Sequence, residues 1–363
     1  MVMSRDCCGA RDVGPVTLAA VPAVNLLSDT QTRPTNAMRR AMAAAEVGDE
    51  QKLADPTTLS LQERVAELLG HEAALFLPSG TMCNLIAFRL HLRPGGDEAI
   101  LAANSHPVGF EAGSPAAVNG AMTRQLDAPT GIFTAAQVSA AVREPGNRYA
   151  PRSRMVSVEQ TTNMGGGRVW PLAAVREVLE AAGRHRLRAH LDGARLMNAA
   201  VASGDQPSAF AAGFDTAWID FSKGLGAPVG AVLTGSEELI EEAWRYKQMT
   251  GGAMRQAGIV AAGALWALDH HVDRLAEDHV NARALAEGLA GLPGVTLDPA
   301  AVETNIVVFR LSGAGQFCAR LEAEHGVRMG ALGPDVVRAV THLDVDAAGV
   351  RRAVDATAKV LAG

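Results

Sequence analysis

The sequence predicts an α/β fold, a parallel sheet covered by helices and followed by a smaller α/β unit. Two observations carry this reading. Short apolar runs alternate with longer segments of helical period. Several of those runs also deliver a polar residue at their C-terminal end, where open α/β sheets place ligands.

The elements follow in order. Ala73 to Leu77 reads as a strand, and Pro78, Ser79 and Gly80 turn the chain into a helix running through Leu92. Glu98 to Ala102 is the next strand. Met155 to Val158 enters a polar, Gly-rich loop at Gln160 to Gly167, and a helix from Leu172 to about Arg186 carries Val175, Val178 and Leu179 on one side. Leu187 to Leu191 runs into Asp192, Phe214 to Ile219 runs towards Ser222 and Lys223, and Val229 to Leu233 adds a further strand. From about Ser236 the chain is mainly helical, with Ala257 to Leu268 apolar enough for a buried helix, until a turn at Leu292, Pro293 and Gly294. A strand (Asn305 to Arg310), a helix (around Gln316 to Glu324), a strand (Val337 to Thr341) and a last helix (Val345 to Leu361) complete the smaller unit.

Composition bounds the function. The chain has 363 residues, 48% hydrophobic and 20% charged, with a net charge of −6. That length allows two or three domains and a sizeable core. The mildly acidic balance argues against a nucleic-acid binder, which needs clustered Lys and Arg. Cys7, Cys8, Cys83 and Cys318 make no disulfide framework and read as reduced thiols in a cytoplasm. Arg5, Asp6, Arg11 and Asp12 mark the first 22 residues as a loose tail rather than a signal peptide. No stretch approaches the ~20 apolar residues of a bilayer span. The chain is unusual in holding 37 Gly but 2 Tyr, which points to tight turns and close backbone approaches.

The candidate chemistry sits at the strand ends. Lys223, in Ser222-Lys223-Gly224-Leu225-Gly226, is either a surface lysine in a Gly-rich turn or a desolvated Schiff-base nucleophile. Asp192, in Asp192-Gly193-Ala194-Arg195, suits a helix N-cap, or a carboxylate holding the proton of a pyridine nitrogen. Arg195 could pair with a carboxylate or a phenolate. Ser79, Gly80 and Thr81 form an ordinary cap or a phosphate cradle. The glycines at 224, 226 and 230 have the wrong spacing for a dinucleotide fingerprint. His106 is structural or stacks on a planar cofactor. His270 and His271, near Asp273 and Glu277, read as a solvated charged face before a metal site.

In sequence order these pieces join further segments: Leu27-Ser28-Asp29-Thr30-Gln31-Thr32-Arg33-Pro34, Val47-Gly48-Asp49, Asp55-Pro56-Thr57, Phe110-Glu111-Ala112-Gly113, Met249-Thr250-Gly251-Gly252, Arg255-Gln256 and Arg338 to Val345. The ordered set resembles the L-threonine aldolases of the β-eliminating lyase group, enzymes dependent on pyridoxal 5'-phosphate (PLP). The resemblance implies the aspartate-aminotransferase fold (fold type I), with a mostly parallel seven-stranded sheet. It divides the chain into a tail (1–24), a PLP-binding large domain (25–272) and a small C-terminal α/β domain (273–363). It implies Lys223 as the Schiff-base lysine, Asp192 as the pyridinium partner and His106 as the ring-stacking histidine. Ser79, Gly80 and Thr81 become the phosphate turn, and Arg255 a phosphate ligand across the interface of a homodimer or homotetramer. Ser28, Arg195 and Arg338 become the holders of the substrate carboxylate.

The implied reaction is retro-aldol Cα–Cβ cleavage of L-threonine, L-allo-threonine or a related β-hydroxy-α-amino acid to glycine and an aldehyde. A phenylserine-type aldolase, a β-eliminating lyase, an aminotransferase and a non-enzymatic binding module are the alternatives. Three positions depart from the family: Thr162 where a histidine is common, Lys52 where a Tyr often stands, and Gln248, beside Lys247, where a lysine precedes Met249. A hydroxyl is no base near neutral pH, so a bound water assisted by His106 or the cofactor phosphate is expected in place of that histidine.

Overall fold

The computed structural model describes residues 22–363, so the expected tail lies outside the described residues up to residue 21. Its strands are β1 (Val24–Asn25), β2 (Ala73–Leu77), β3 (Asp97–Ala102), β4 (Met122–Leu126), β5 (Arg152–Glu159) and β6 (Arg188–Asp192). They continue with β7 (Thr216–Asp220), β8 (Ala231–Gly235), β9 (Ile306–Arg310), β10 (Val327–Arg328), β11 (Gly330–Ala331) and β12 (Val336–Val340).

Seven of these form the main sheet in the order β2-β8-β7-β6-β5-β3-β4, parallel except for β8. Every residue of β7 and β8 is buried, as strands covered on both faces must be, and they therefore read as apolar runs without alternation. The edge strand β4 has the sequence Met-Thr-Arg-Gln-Leu and is largely exposed. A polar edge strand lacks the apolar signal, which is why sequence patterning passes over it.

The main core gathers side chains such as Phe76, Val156, Leu191 and Ile219 between the sheet and its helices, among them Leu172–Arg184 with Val175 and Val178 inward. A second core, around Leu285, Phe309, Phe317 and Val337, lies between the antiparallel sheet β11-β12-β9 and the helices Leu275–Ala290, Ala314–His325 and Ala347–Ala362. The helix Leu275–Ala290 joins the two, with Leu275 in the main core and Ala282 in the second.

The beginning of the described chain departs from expectation. Val24 pairs in parallel with Val327 of β10, Val340 donates its N–H to the Leu26 carbonyl at 2.9 Å, and Val24 and Leu26 are buried in the second core. The boundary expected at residue 24 therefore does not hold for Val24, and residues 24–26 pack with the C-terminal unit rather than with the large one. Apolar Val24 and Leu26 supply the reason, since each covers surface that the C-terminal helices would otherwise expose.

Candidate active site

Three neighbouring parallel strands, β5, β6 and β7, end on carboxylates at one edge of the sheet: Glu159, Asp192 and Asp220. Glu159 and Asp192 are direct register partners. Asp192 is 1% exposed; its Oδ2 accepts from Asn84 Nδ2 at 2.7 Å and its Oδ1 from the Ala194 N–H at 3.1 Å. It does not cap the following helix, Leu196–Ser203, whose N-cap is Arg195. Gly193 is required here, because a Cβ at this position would lie 1.9 Å from the Trp218 carbonyl oxygen.

Burial, and then the charge of Glu159, push the Asp192 carboxyl up to about 7. In the cofactor-free protein the folded state thus holds this proton over a pH range, from 3.8 to about 7, in which an unfolded aspartate has lost it. The stabilisation it gives is full at low pH and declines as pH rises through that window. Asp192→Asn should remove this dependence, so the parent loses more melting temperature than the variant between pH 5 and 8. A constant difference between the two would contradict the assignment.

His106 opens a short helix, His106–Gly109, after β3. Its Nδ1 lies 2.8 Å from Glu111 Oε1, and its backbone N–H donates to Glu159 Oε2 at 2.7 Å. Burial lowers the ring's basicity, but the Glu111 contact and the surrounding carboxylates outweigh it and leave the His106 pKa raised. Glu159 Oε1 accepts the Asn163 N–H at 2.7 Å, so this one side chain ties together the His106 and Asn163 segments. Phe110 stands 5.6 Å from the His106 ring.

Lys223 follows β7 and is no surface lysine: its side chain is 16% exposed and its Nζ pairs with Asp220 Oδ2. Asp220 Oδ1 accepts both the Ser222 N–H and hydroxyl at 2.7 Å. Ser79 caps the helix Gly80–His91, its Oγ accepting the Met82 N–H at 3.2 Å, while Ser79 and Thr81 stay exposed. The cap and the cradle are thus compatible, since the first N–H groups of a helix have no partner within it. A Cβ on Gly80 would meet Trp218 at 2.3 Å and Asp220 Oδ2 at 3.1 Å, so only glycine brings this turn against the Lys223 strand. His271 is buried, with Nδ1 2.7 Å from the Leu225 carbonyl oxygen, and braces the lysine loop. The solvated face expected for His270 and His271 does not extend to it, and no cluster suited to a metal is found among the described residues.

Arg195, which is buried, and Arg338, which is half-buried, differ in what they touch. Arg195 donates from Nε and Nη2 to the two oxygens of Asp29, both at 2.7 Å, and Asp29 also takes Asn305 Nδ2 at 3.1 Å. That carboxyl is held far below the usual range by Arg195, against the cost of burial. Arg338 makes no ion pair among the described residues. Its Nη1 donates to Asn163 Oδ1 at 2.8 Å, and its buried Nε has no partner. Ser28 Oγ accepts from Thr30 N and Thr30 Oγ1, which leaves its own O–H free to donate.

The remaining positions lie apart or face elsewhere. Arg255 is exposed and pairs with Asp49 at 3.0 Å, on the turn that also carries exposed Lys52. Lys247 is fully buried against Glu50 at 2.8 Å. Thr162 is 1% exposed, its hydroxyl unpartnered and packed where Gly131 and Gly165 leave room. Sequence reading missed Glu159 and Asp220, although both obey the strand-end rule that found Asp192. It gave Glu111, Asn163 and Asp29 no role, and Asn84, a polar residue inside a helix, offered no signal.

The sequence matches the beta-eliminating lyase family over residues 25–312. It is 40% identical over 298 residues to low-specificity L-threonine aldolase 1 of Arabidopsis thaliana, covering 82% of this chain and 83% of that one. In structure it resembles the threonine aldolase of Leishmania major, with a TM-score of 0.80 at 21% identity, over 93% of this chain and 99% of that one. The aspartate aminotransferase of Rhizobium meliloti follows at a TM-score of 0.67 and 17% identity, over 94% and 92%. The fold is therefore fold type I of the PLP enzymes.

Proposed function

Because the chain belongs to the beta-eliminating lyase family, we propose that it is a PLP-dependent aldehyde-lyase cleaving L-threonine, L-allo-threonine or a related β-hydroxy-α-amino acid to glycine and an aldehyde. The observation that carries this reading is the convergence at one sheet edge of a largely buried amine, Lys223, a buried carboxylate, Asp192, and an exposed helix N-terminus at Ser79 to Thr81. These residues fit the cofactor: Lys223 would bond its aldehyde carbon, Asp192 face its pyridine nitrogen, and the Gly80 turn take its phosphate. When bound, the group serves as an electron sink for the carbon left by the broken Cα–Cβ bond.

The protein's own groups orient and deprotonate the substrate. Arg338, whose charge no carboxylate neutralises among the described residues, and the free Ser28 O–H bind the substrate carboxylate. Arg195 is committed to Asp29, and the neutralised pair supports that pocket as a fixed wall. Holding the carboxylate sets the Cα–Cβ bond in the geometry that cleavage needs. Thr162 is buried and its hydroxyl is no base near neutral pH, so His106 Nε2, acting directly or across one water, takes the β-hydroxyl proton while Glu111 holds Nδ1. Arg255 and Lys52 serve a neighbouring copy's site in a homodimer or homotetramer, which accounts for their exposure. The free thiols Cys83 and Cys318 accord with a cytoplasmic setting.

Incubation with L-threonine, L-allo-threonine and L-phenylserine tests the reading. Glycine and the matching aldehyde in equal amounts are expected. Ammonia with 2-oxobutanoate from the threonines, or with phenylpyruvate from phenylserine, and no glycine would mean β-elimination, and pyridoxamine phosphate formed with a keto acid would mean transamination.

A further inference from the structure

Asn84 lies in the middle of the helix Gly80–His91, 1% exposed, and every hydrogen-bonding position of its amide is used. Indole nitrogen only donates, so Trp218 Nε1, 2.8 Å away, fixes the Asn84 carbonyl oxygen on its side. The amide nitrogen then gives one hydrogen to Asp192 Oδ2 and one to Glu111 Oε1, each at 2.7 Å. His190 Nε2, 3.1 Å from the same carbonyl oxygen, must carry a hydrogen. Burial pushes His190 down to about 3, so its ring is neutral and its Nδ1 accepts from Thr216 Oγ1 at 2.8 Å. Thr216 has one hydrogen to give, so it in turn accepts from His91 Nε2 at 2.9 Å. The bonds run in one direction, from half-buried His91 through Thr216 and His190 to Asn84. Turning the amide over would set its NH2 against two donors and its oxygen against two carboxylates.

We propose that Asn84 is a positioning residue that links the proton held at Asp192 to the Glu111–His106 pair, and that the chain from His91 locks it in that role. A single nitrogen holds two buried carboxylates side by side, one belonging to the cofactor's pyridine partner and the other to the histidine at the reacting carbon. The charged groups around it are Asp192 from β6, Glu159 from β5, Glu111 and His106 from the segment after β3, and, beyond them, Lys223 and Asp220 from the end of β7. A change of charge at Asp192 reaches His106 through one amide. Its consequence for catalysis rests on the functional reading above; the linkage itself does not.

The test uses Asn84→Ala and Thr216→Val, read by NMR titration of the His106 ring in cofactor-free protein and by the visible absorption of PLP-loaded protein against pH. Without the amide donor, Glu111 turns more of its charge on His106, and the His106 midpoint should rise by about one pH unit in Asn84→Ala. The spectral midpoint should move as well. Thr216→Val keeps the shape and removes the hydroxyl, freeing His190 to change tautomer; it should give a smaller shift in the same direction. Should Asn84→Ala fail to fold, Thr216→Val carries the test alone. Lowered melting temperatures with both midpoints unmoved would overturn the proposal and leave Asn84 a packing residue. A parent protein that binds no PLP would instead sink the functional reading, while the His106 titration would still decide the linkage.

Discussion

Lys223→Ala is expected to abolish the visible absorption of PLP-loaded protein and to reduce cleavage by on the order of 10⁴-fold or more. The argument is positional. Lys223 is the single lysine at this sheet edge, its side chain is largely buried, and its amine reaches the gap between Asp220 and the Trp218 ring, 5.8 Å from the ring centre. Lys247, fully buried against Glu50 beneath Trp244, is pinned and cannot substitute. Borohydride reduction followed by peptide mass spectrometry should place the cofactor adduct on the peptide holding Lys223. Truncation also strands Asp220, a buried carboxylate whose unpaired charge costs stability of its own. The double variant Lys223→Ala/Asp220→Asn should therefore recover melting temperature without recovering absorption. A retained visible band in Lys223→Ala would refute the assignment.

Arg338→Ala should lower kcat/KM by about 10²-fold, chiefly through KM, since it removes a charge-assisted bond formed with substrate before and during reaction. Arg195 cannot compensate, because the Nε and Nη2 that would grip a carboxylate already hold Asp29. Arg338→Lys should restore part of the loss, as a point charge without the guanidinium fork. The cofactor's spectrum should stay unchanged in both variants. That outcome separates a substrate anchor from a group that merely supports the fold; unchanged KM in Arg338→Ala would refute the role.

Much of this was legible in the sequence. Strands β2 and β7 announce themselves as largely apolar runs and β6 as the short segment between Leu187 and Leu191, and Asp192 and Lys223 stand where such segments end. What stayed hidden is what depends on tertiary neighbours. Nothing in the string Gly80 to His91 says that Asn84 meets a tryptophan 134 residues on and a histidine 106 residues on. Arg195 and Arg338 are equal as letters; only the fold commits one to Asp29 and leaves the other open. Nor does the place of Lys247 beside Gln248 say that its amine is fully buried against Glu50.

The pairing of Val24 with Val327 has a bearing on how the protein is made. As the chain leaves the ribosome, Val24 and Leu26 are among the first of the described residues to emerge, and their partners are among the last. Until about 300 more residues have followed, those apolar side chains have nothing to dock on, whereas Asp29 can meet Arg195 well before that. Arg338 follows later still, in β12, so a nascent fragment ending before β10 lacks the proposed anchor for the substrate carboxylate.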